Sequence, residues 1–169
     1  MNLGVENAEI NGYNYVGGVC GYNYGTIQNC YNTGAVNGDN DVGGVCGHNS
    51  GTIKNCYNTG AVSGTGRSSA NIGGVCGYNY SGSTIKDCYN TGAVSGTRCV
   101  GGVCGYNNKG GTIQNCYNTG TVSGTDEYVG GVCGENDGGT IQNCYNTGGV
   151  SGHFSGGVCG DNYRGTIQN

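Results

Sequence analysis

The sequence has no proline, no tryptophan, one phenylalanine and one methionine among its 169 residues. A conventional core of large apolar side chains cannot be assembled from this composition. The 40 glycines disfavour long helices, because glycine loses more backbone freedom on folding than any other residue. Disordered chains favour proline and charge, whereas this chain places its 12 cysteines and 14 tyrosines mostly at recurring positions. We therefore expect an ordered, repetitive structure.

Charged residues are also scarce, at 9% of the chain, and only six are basic. No basic stripe is present to hold a phosphate backbone, so we expect no nucleic-acid partner. No run approaches the roughly 20 apolar residues that a bilayer-spanning helix needs, so we expect no membrane insertion. The first residues lack the basic and apolar regions of a signal peptide. The chain is therefore predicted to be either cytosolic or a segment of a longer protein.

A repeat accounts for nearly the whole chain. The tripeptide Gly-Gly-Val begins at positions 17, 43, 73, 101, 130 and 156, which defines six units of 26 to 30 residues. Residues 1–15 form a lead-in or partial coil, and residues 16–169 hold the repeats. The sixth unit stops one position before its second cysteine. We therefore expect a segment of a longer array, whose final coil has an open edge.

Each unit predicts one coil of a β-solenoid. Short apolar runs alternate with Asn, Gly and Ser, which is typical of strands and turns, and helical periodicity is absent. The unit is too short for a propeller blade. We predict an all-β, right-handed parallel β-solenoid (β-helix) of about six coils, with strands stacked about 4.8 Å apart. Val16, Ile27 and Val36 are apolar in almost every copy, so their side chains are predicted to point inward.

Asparagine and tyrosine recur in columns. The asparagine columns, represented by Asn23, Asn29 and Asn32, fit either a ladder of stacked amides or turns with left-handed backbone. We favour the turn interpretation for Asn23 and keep both for Asn29. A second set of positions is predicted to form an aromatic ladder, with sugar stacking as its functional alternative, and comprises Tyr31, Tyr57, Tyr89, Tyr117 and Tyr145.

Ten cysteines form pairs separated by 10 to 12 residues, and these are Cys20/Cys30, Cys46/Cys56, Cys76/Cys88, Cys104/Cys116 and Cys133/Cys144. We favour a disulfide within each coil, while reduced thiols that fill the interior remain the alternative. Cys99, in a loop between coils, and Cys159, which has no partner, are predicted to be free or intermolecular. None of the paired spacings is that of a zinc site.

Catalytic and ligand-binding patterns are weak. The ten acidic residues fall largely at unmatched repeat positions, so no catalytic carboxylate pair, no enzyme activity and no cofactor are predicted. Asp39 and Asp41 are weak calcium candidates in an oxygen-rich loop, and Glu135-Asn136-Asp137 is a less convincing one. Aligned threonines, such as those of the Thr26 and Thr33 columns, also leave ice binding open.

The unit reads Gly-Gly-Val-Cys-Gly-Tyr-Asn and then Gly-Thr-Ile-Gln-Asn-Cys-Tyr-Asn-Thr-Gly-Ala-Val, as at 17–36, and equivalents cover most of 16–169. This unit resembles the GLUG-motif repeat of bacterial cell-surface proteins. This chain has Val-Cys where many relatives have Leu-Val, so the resemblance does not imply the cysteine pairs. It implies non-catalytic repeats of secreted or wall-anchored proteins, including adhesins and some surface peptidases.

From this resemblance we expect an extracellular or cell-surface location and a structural or adhesive role. The coils are expected to display variable loops at 37–42, 64–72, 96–100 and 124–129. Expected partners are a host glycan or protein, or neighbouring repeats of the same array, and the open last coil predicts end-to-end self-association. The alternative is a carbohydrate-binding module that uses the tyrosine ladder and the loops.

Overall fold

The computed structural model describes residues 3–67 and 70–169. Within these ranges the chain is all-β and has no helix, and therefore none that could span a membrane. Its 30 strands form five parallel sheets of six strands each. The prediction of a parallel β-solenoid of about six coils is confirmed, and its right-handed winding stays a prediction.

Every coil contributes five short strands. The first two coils contain β1 (Leu3–Val5), β2 (Glu9–Asn11), β3 (Asn14–Gly17), β4 (Cys20–Asn23), β5 (Thr26–Gln28), β6 (Cys30–Asn32), β7 (Ala35–Gly38), β8 (Asn40–Gly43), β9 (Cys46–Asn49) and β10 (Thr52–Lys54). The next two contain β11 (Tyr57–Asn58), β12 (Val62–Gly64), β13 (Asn71–Gly73), β14 (Cys76–Asn79), β15 (Thr84–Lys86), β16 (Tyr89–Asn90), β17 (Val94–Gly96), β18 (Cys99–Gly101), β19 (Cys104–Asn107) and β20 (Thr112–Gln114). The last two contain β21 (Tyr117–Asn118), β22 (Val122–Gly124), β23 (Tyr128–Gly130), β24 (Cys133–Asp137), β25 (Thr140–Gln142), β26 (Tyr145–Asn146), β27 (Val150–Ser151), β28 (Phe154–Gly156), β29 (Cys159–Tyr163) and β30 (Thr166–Gln168).

The sheets run along the rod, because equivalent strands of successive coils pair. We name them sheets A to E after the strands that begin them, β1 to β5. Pairing keeps the repeat in register, as in Cys20 opposite Cys46 and Ile27 opposite Ile53. The lead-in joins the same pattern, since Leu3 pairs with Cys30 and forms part of sheet A.

The interior has two apolar compartments. The larger is lined from sheets D, E and A by residues such as Val45, Cys46 and Ile53, and the smaller from sheets B and C by valine and isoleucine. Val16, Ile27 and Val36 are all buried, as predicted. Val45 and Cys46 are both buried although they are adjacent, because the chain bends at the corner between sheets C and D.

That corner explains the invariant Gly-Gly pair. A side chain at Gly44 would collide with the Gly74 carbonyl and with the Asn58 amide, which reaches this corner from sheet A. Only glycine leaves room for the two backbones and the amide at the same place. The second glycine of the pair is therefore a packing requirement of the interior and not a surface turn.

Candidate functional site

All twelve cysteines lie in the described part of the chain and are free thiols. They include two columns along the larger compartment, one on sheet D with Cys20, Cys46, Cys76, Cys104, Cys133 and Cys159, and one at sheet A with Cys30, Cys56, Cys88, Cys116 and Cys144. The predicted pairs therefore join sheet D to sheet A, with sheet E between them. This arrangement matches the alternative interpretation of reduced interior thiols, and the intracoil disulfides stay a prediction.

Burial disfavours the charged form of the interior thiols, whereas hydrogen bonds between neighbouring thiols lower the pKa of Cys88, Cys104 and Cys144. Burial raises the pKa of Cys76 and of Cys133, and their neighbours along the column raise it further. The Cys46 Sγ donates to the His48 carbonyl oxygen at 3.2 Å, which gives the thiol proton a partner inside the chain. A neutral, buried thiol is a poor nucleophile and a poor metal ligand. These columns are therefore packing elements in the folded rod.

Cys99 lies elsewhere than predicted. It belongs to β18 rather than to a loop, is almost completely buried, and donates its Sγ proton to Glu135 Oε2 at 3.3 Å. Burial raises the pKa of its thiol. Cys159, in contrast, is partly exposed at the end of the sheet D column.

Two asparagine columns are buried amide ladders. In one, Asn23 Nδ2 donates to Asn49 Oδ1 at 2.8 Å, and the same bond recurs down sheet D to Asn162. In the other, Asn32 Nδ2 donates to Asn58 Oδ1 at 2.8 Å and the series continues to Asn146. The turn interpretation is therefore wrong for Asn23, because its amide faces the interior. For Asn29 both interpretations hold, because its φ of 55° is left-handed and its Oδ1 accepts from Asn55 Nδ2 at 3.3 Å.

The five tyrosines of the predicted ladder stack in one column. The ring centroids of Tyr31 and Tyr57 lie 5.1 Å apart with planes 6° from parallel, and the other neighbouring pairs are similar. Each inner ring therefore has both faces covered by other rings. A sugar that stacks on an aromatic side chain needs an open face, and along its length this ladder offers only ring edges.

A second aromatic column, which the repeated residues do not predict, runs along the outer face of sheet D. It contains Tyr22, His48, Tyr78 and Tyr106, with ring centroids 4.3 to 5.1 Å apart. In the last two coils an acidic residue takes the place of the ring, because Glu135 pairs with Tyr106 in register and Asp161 pairs with Glu135. In the sequence this column is the position between Cys-Gly and Asn of each repeat, and the residue type at that position varies.

Hydrogen bonds fix the polar groups beside this column. His48 Nδ1 lies 2.9 Å from Asp41 Oδ2, and Asn71 Nδ2 donates to Asp41 Oδ1 at 2.7 Å. Both carboxylate oxygens of this calcium candidate are therefore engaged by protein groups. The other candidate, Asp39, instead accepts from Thr65 Oγ1 at 2.6 Å. Across the described ranges, no group of three or more His, Cys, Asp or Glu side chains is arranged to hold a metal ion.

A depression of about 250 Å³ opens where the aromatic column ends. Its walls include Asn71, Tyr78, Arg98, Tyr106 and Glu135, and we call it the sheet D groove. Burial raises the pKa of Tyr78 to about 12 and also raises the pKa of Glu135. The groove thus combines phenol groups, a carboxyl with a raised pKa and a guanidinium. These groups also bond within the protein, since Tyr106 Oη donates to Asp137 Oδ2 at 3.0 Å and Arg98 Nε donates to Glu127 Oε2 at 2.8 Å.

The predicted variable loops contribute to this groove. Residues 96–100, which we expected to be a loop, include the start of β18 and supply Arg98 and Cys99 to its wall. Residues 64–72 supply Ala70 and Asn71. Ser68 and Ser69 of that predicted loop lie outside the described residues.

Comparison with known proteins gives a family and one informative structure. The crystal structure of "a putative immunoglobulin A1 protease from Bacteroides ovatus" is similar, with a TM-score of 0.77 and 25% identity over 98% of this chain. The match spans 56% of that protein's chain. Among curated proteins, none matches the sequence. The family model of the GLUG motif matches residues 12–37, 38–63, 68–95, 96–123 and 125–151, so the chain belongs to the GLUG-motif family.

Proposed function

We propose that this chain is a non-catalytic structural and adhesive segment of a secreted or surface-anchored bacterial protein. In this role it is a rigid spacer that carries a variable groove on one side. The GLUG repeats and the similarity to part of a larger protein support the proposal. The observation that carries it is the pair of buried amide columns, which join each coil to the next along the rod.

The amide columns give rigidity that does not depend on sulfur chemistry. Nine side-chain hydrogen bonds between asparagines connect successive coils. A net contribution of about 0.5–1.5 kcal/mol for each bond is a substantial part of the stability of a small domain. Because every internal coil repeats the same contacts, the rod has no evident hinge among its described residues. Such a segment separates the parts of a longer protein at a fixed distance.

Limited proteolysis tests the spacer role. Trypsin is expected to leave the bonds after Lys54 and Lys86 intact, because both residues lie in paired strands. Arg67 is exposed outside any strand, so cleavage there is expected and serves as the internal control. Rapid cleavage after Lys54 or Lys86 in native buffer would contradict a rigid spacer.

The non-catalytic part of the proposal has a separate test. The similar structure carries the name of a protease that acts on immunoglobulin A1. Incubation of this chain with immunoglobulin A1 is expected to give no cleavage products on a gel. Products that appear with this chain and are absent from a heat-treated sample would show that the chain is an enzyme.

Carbohydrate binding is the second candidate, and the sheet D groove favours it. Tyr78, Tyr106 and Glu135 place hydroxyl and carboxyl groups around one depression, which is suited to the hydroxyls of a sugar. On a glycan array, Tyr106→Ala should abolish any binding of the unmodified protein. Tyr117→Ala, in the stacked ladder outside the groove, is the matched control and should bind normally. Equal loss in both variants would exclude the groove as the site.

A further inference from the structure

The aromatic column of sheet D stops between the fourth and fifth coils, with further coils on both sides, and leaves one ring face uncovered. Tyr106 stacks on Tyr78 with ring centroids 5.1 Å apart. On its other side the residue in register is Glu135, which has no ring. The Glu135 carboxyl is turned toward sheet C, where Oε2 accepts the Cys99 Sγ proton at 3.3 Å. No second ring of the described residues stacks on Tyr106, so this face opens into the sheet D groove.

Three polar atoms in the groove wall keep hydrogen-bonding capacity. Tyr78 Oη accepts from Asn108 Nδ2 at 2.7 Å, which leaves its own proton to donate. Asn71 gives one N–H to Asp41 Oδ1 at 2.7 Å, while no described group donates to Asn71 Oδ1. Glu135 Oε1 likewise accepts no hydrogen bond from the part of the chain that the structure describes. An aromatic face with a donor and two acceptors beside it suits a sugar, whose ring packs on the phenol and whose hydroxyls bond the rim.

The charges around the groove are mainly negative. Burial and the nearby Asp161 and Asp137 carboxylates raise the pKa of Glu135. Arg98, the guanidinium in the wall, acts in the opposite direction, but its charge is largely offset by an ion pair with Glu127. An acidic sugar would therefore meet carboxylates of the same sign, whereas an ammonium group would meet the opposite charge.

We propose that the sheet D groove binds a sugar that carries a free amino group. Its ring stacks on the open face of Tyr106, and its ammonium donates to Glu135 Oε1. A charge-assisted hydrogen bond of this kind is about twice as strong as a neutral one, so Glu135 sets the preference for the amino group. The groove of about 250 Å³ is smaller than the roughly 300–1,000 Å³ pockets of drug-sized ligands, so it takes one sugar ring. This inference rests on the carbohydrate-binding candidate for the same groove and adds the class of sugar.

Isothermal titration calorimetry with the tetramers of chitosan, chitin and cellulose tests the class of sugar. These share one backbone and carry an ammonium, an acetamido or a hydroxyl group on each ring. At pH 6 the chitosan tetramer should bind at least tenfold more tightly than the other two. Equal affinity for all three would overturn the amino-sugar inference and leave carbohydrate binding at the groove, whereas binding of none would overturn both. A simple diamine that displaces the chitosan tetramer at equal concentration would show that charge alone is recognised, and would also overturn it.

Glu135→Gln tests the residue that sets the preference. The change keeps the size of the side chain and removes its charge, so the affinity for the chitosan tetramer should fall about tenfold while that for the neutral tetramers stays the same. The control Asp87→Asn removes one negative charge between sheets E and A, where other coils have asparagine, and should bind as the unmodified protein does. Tyr106→Phe keeps the ring face and should still bind the chitosan tetramer, whereas Tyr106→Ala should bind none of the three. Equal losses for Glu135→Gln and Asp87→Asn would indicate a general charge effect and disprove the assignment.

Discussion

Two aromatic columns run along this rod, and they differ in what the repeats allow. The column on sheet A has tyrosine at all five of its stacked positions, with nearly parallel rings throughout. The column on sheet D holds three tyrosines and one histidine and then two acidic residues, although its backbone pairing stays in register. A uniform column indicates that packing restricts each position in the same way. A varied column indicates a surface that the fold leaves available for recognition.

The largest loss of stability is expected in the buried asparagine ladder of sheet A, next to the uniform tyrosine column. Asn118→Ala removes an amide that accepts a hydrogen bond from Asn90 and donates one to Asn146. The same amide also forms hydrogen bonds with the Gly120 backbone. Each buried polar group left without a partner costs about 1–3 kcal/mol, so thermal unfolding should begin several degrees lower. The control Gln114→Ala, on the outer face of sheet E, should unfold within about 0.5 kcal/mol of the unmodified protein. Equal melting temperatures for the two variants would contradict a structural role for the ladder.

A smaller loss of stability is expected when one tyrosine of either aromatic column is truncated, and the two columns can be compared in this way. Tyr117→Ala removes stacking with two neighbours, whereas Tyr106→Ala removes stacking with one ring and a hydroxyl bond to Asp137. Because a stacked pair contributes about 0.5–1.5 kcal/mol and a hydrogen bond to a carboxylate about 1.5–3 kcal/mol, Tyr106→Ala should be at least as destabilising as Tyr117→Ala in chemical denaturation. Tyr106→Phe keeps the ring and should recover the stacking part of the loss, and equal losses for Tyr106→Ala and Tyr106→Phe would mean that this ring adds no stability.

The sequence predicts the regular column better than the varied one, and the reason is physical. The structural role of a repeated residue such as Ile27 or Tyr31 can be predicted, because the residue has the same surroundings in every coil. The turn interpretation fails at Asn23 because an asparagine two residues before a glycine has the same local pattern in a turn and in a buried ladder. The sheet D groove depends on residues from several coils that differ in type, so no repeated pattern identifies it. Strands of two or three residues are likewise too short to show a period.

The acidic part of the varied column predicts a modest dependence on pH. Burial raises the pKa of Glu135, and the nearby Asp161 and Asp137 carboxylates also raise it, whereas Cys99 and Arg98 lower it. The folded state therefore binds this proton more tightly than the unfolded chain, and stability falls as pH rises through the raised pKa. Glu135→Gln should raise the melting temperature at pH 7 and leave it unchanged below the ordinary pKa of a glutamate. A variant that is no more stable at pH 7 would contradict this assignment.

The smallest effect is expected from a reductant acting on the thiol columns, which lie inside the rod. Because all twelve cysteines are free in the structure, alkylation of unfolded, unreduced protein should label twelve thiols, and a reductant should not change the melting temperature. Intracoil disulfides would instead leave ten cysteines unlabelled and make the melting temperature fall on reduction, since each closed loop of about 11 residues contributes up to roughly 2.8 kcal/mol. The amide ladders give a reason to expect the first result. They connect the coils through groups that no reductant attacks, so the rod keeps its register when every sulfur remains a thiol.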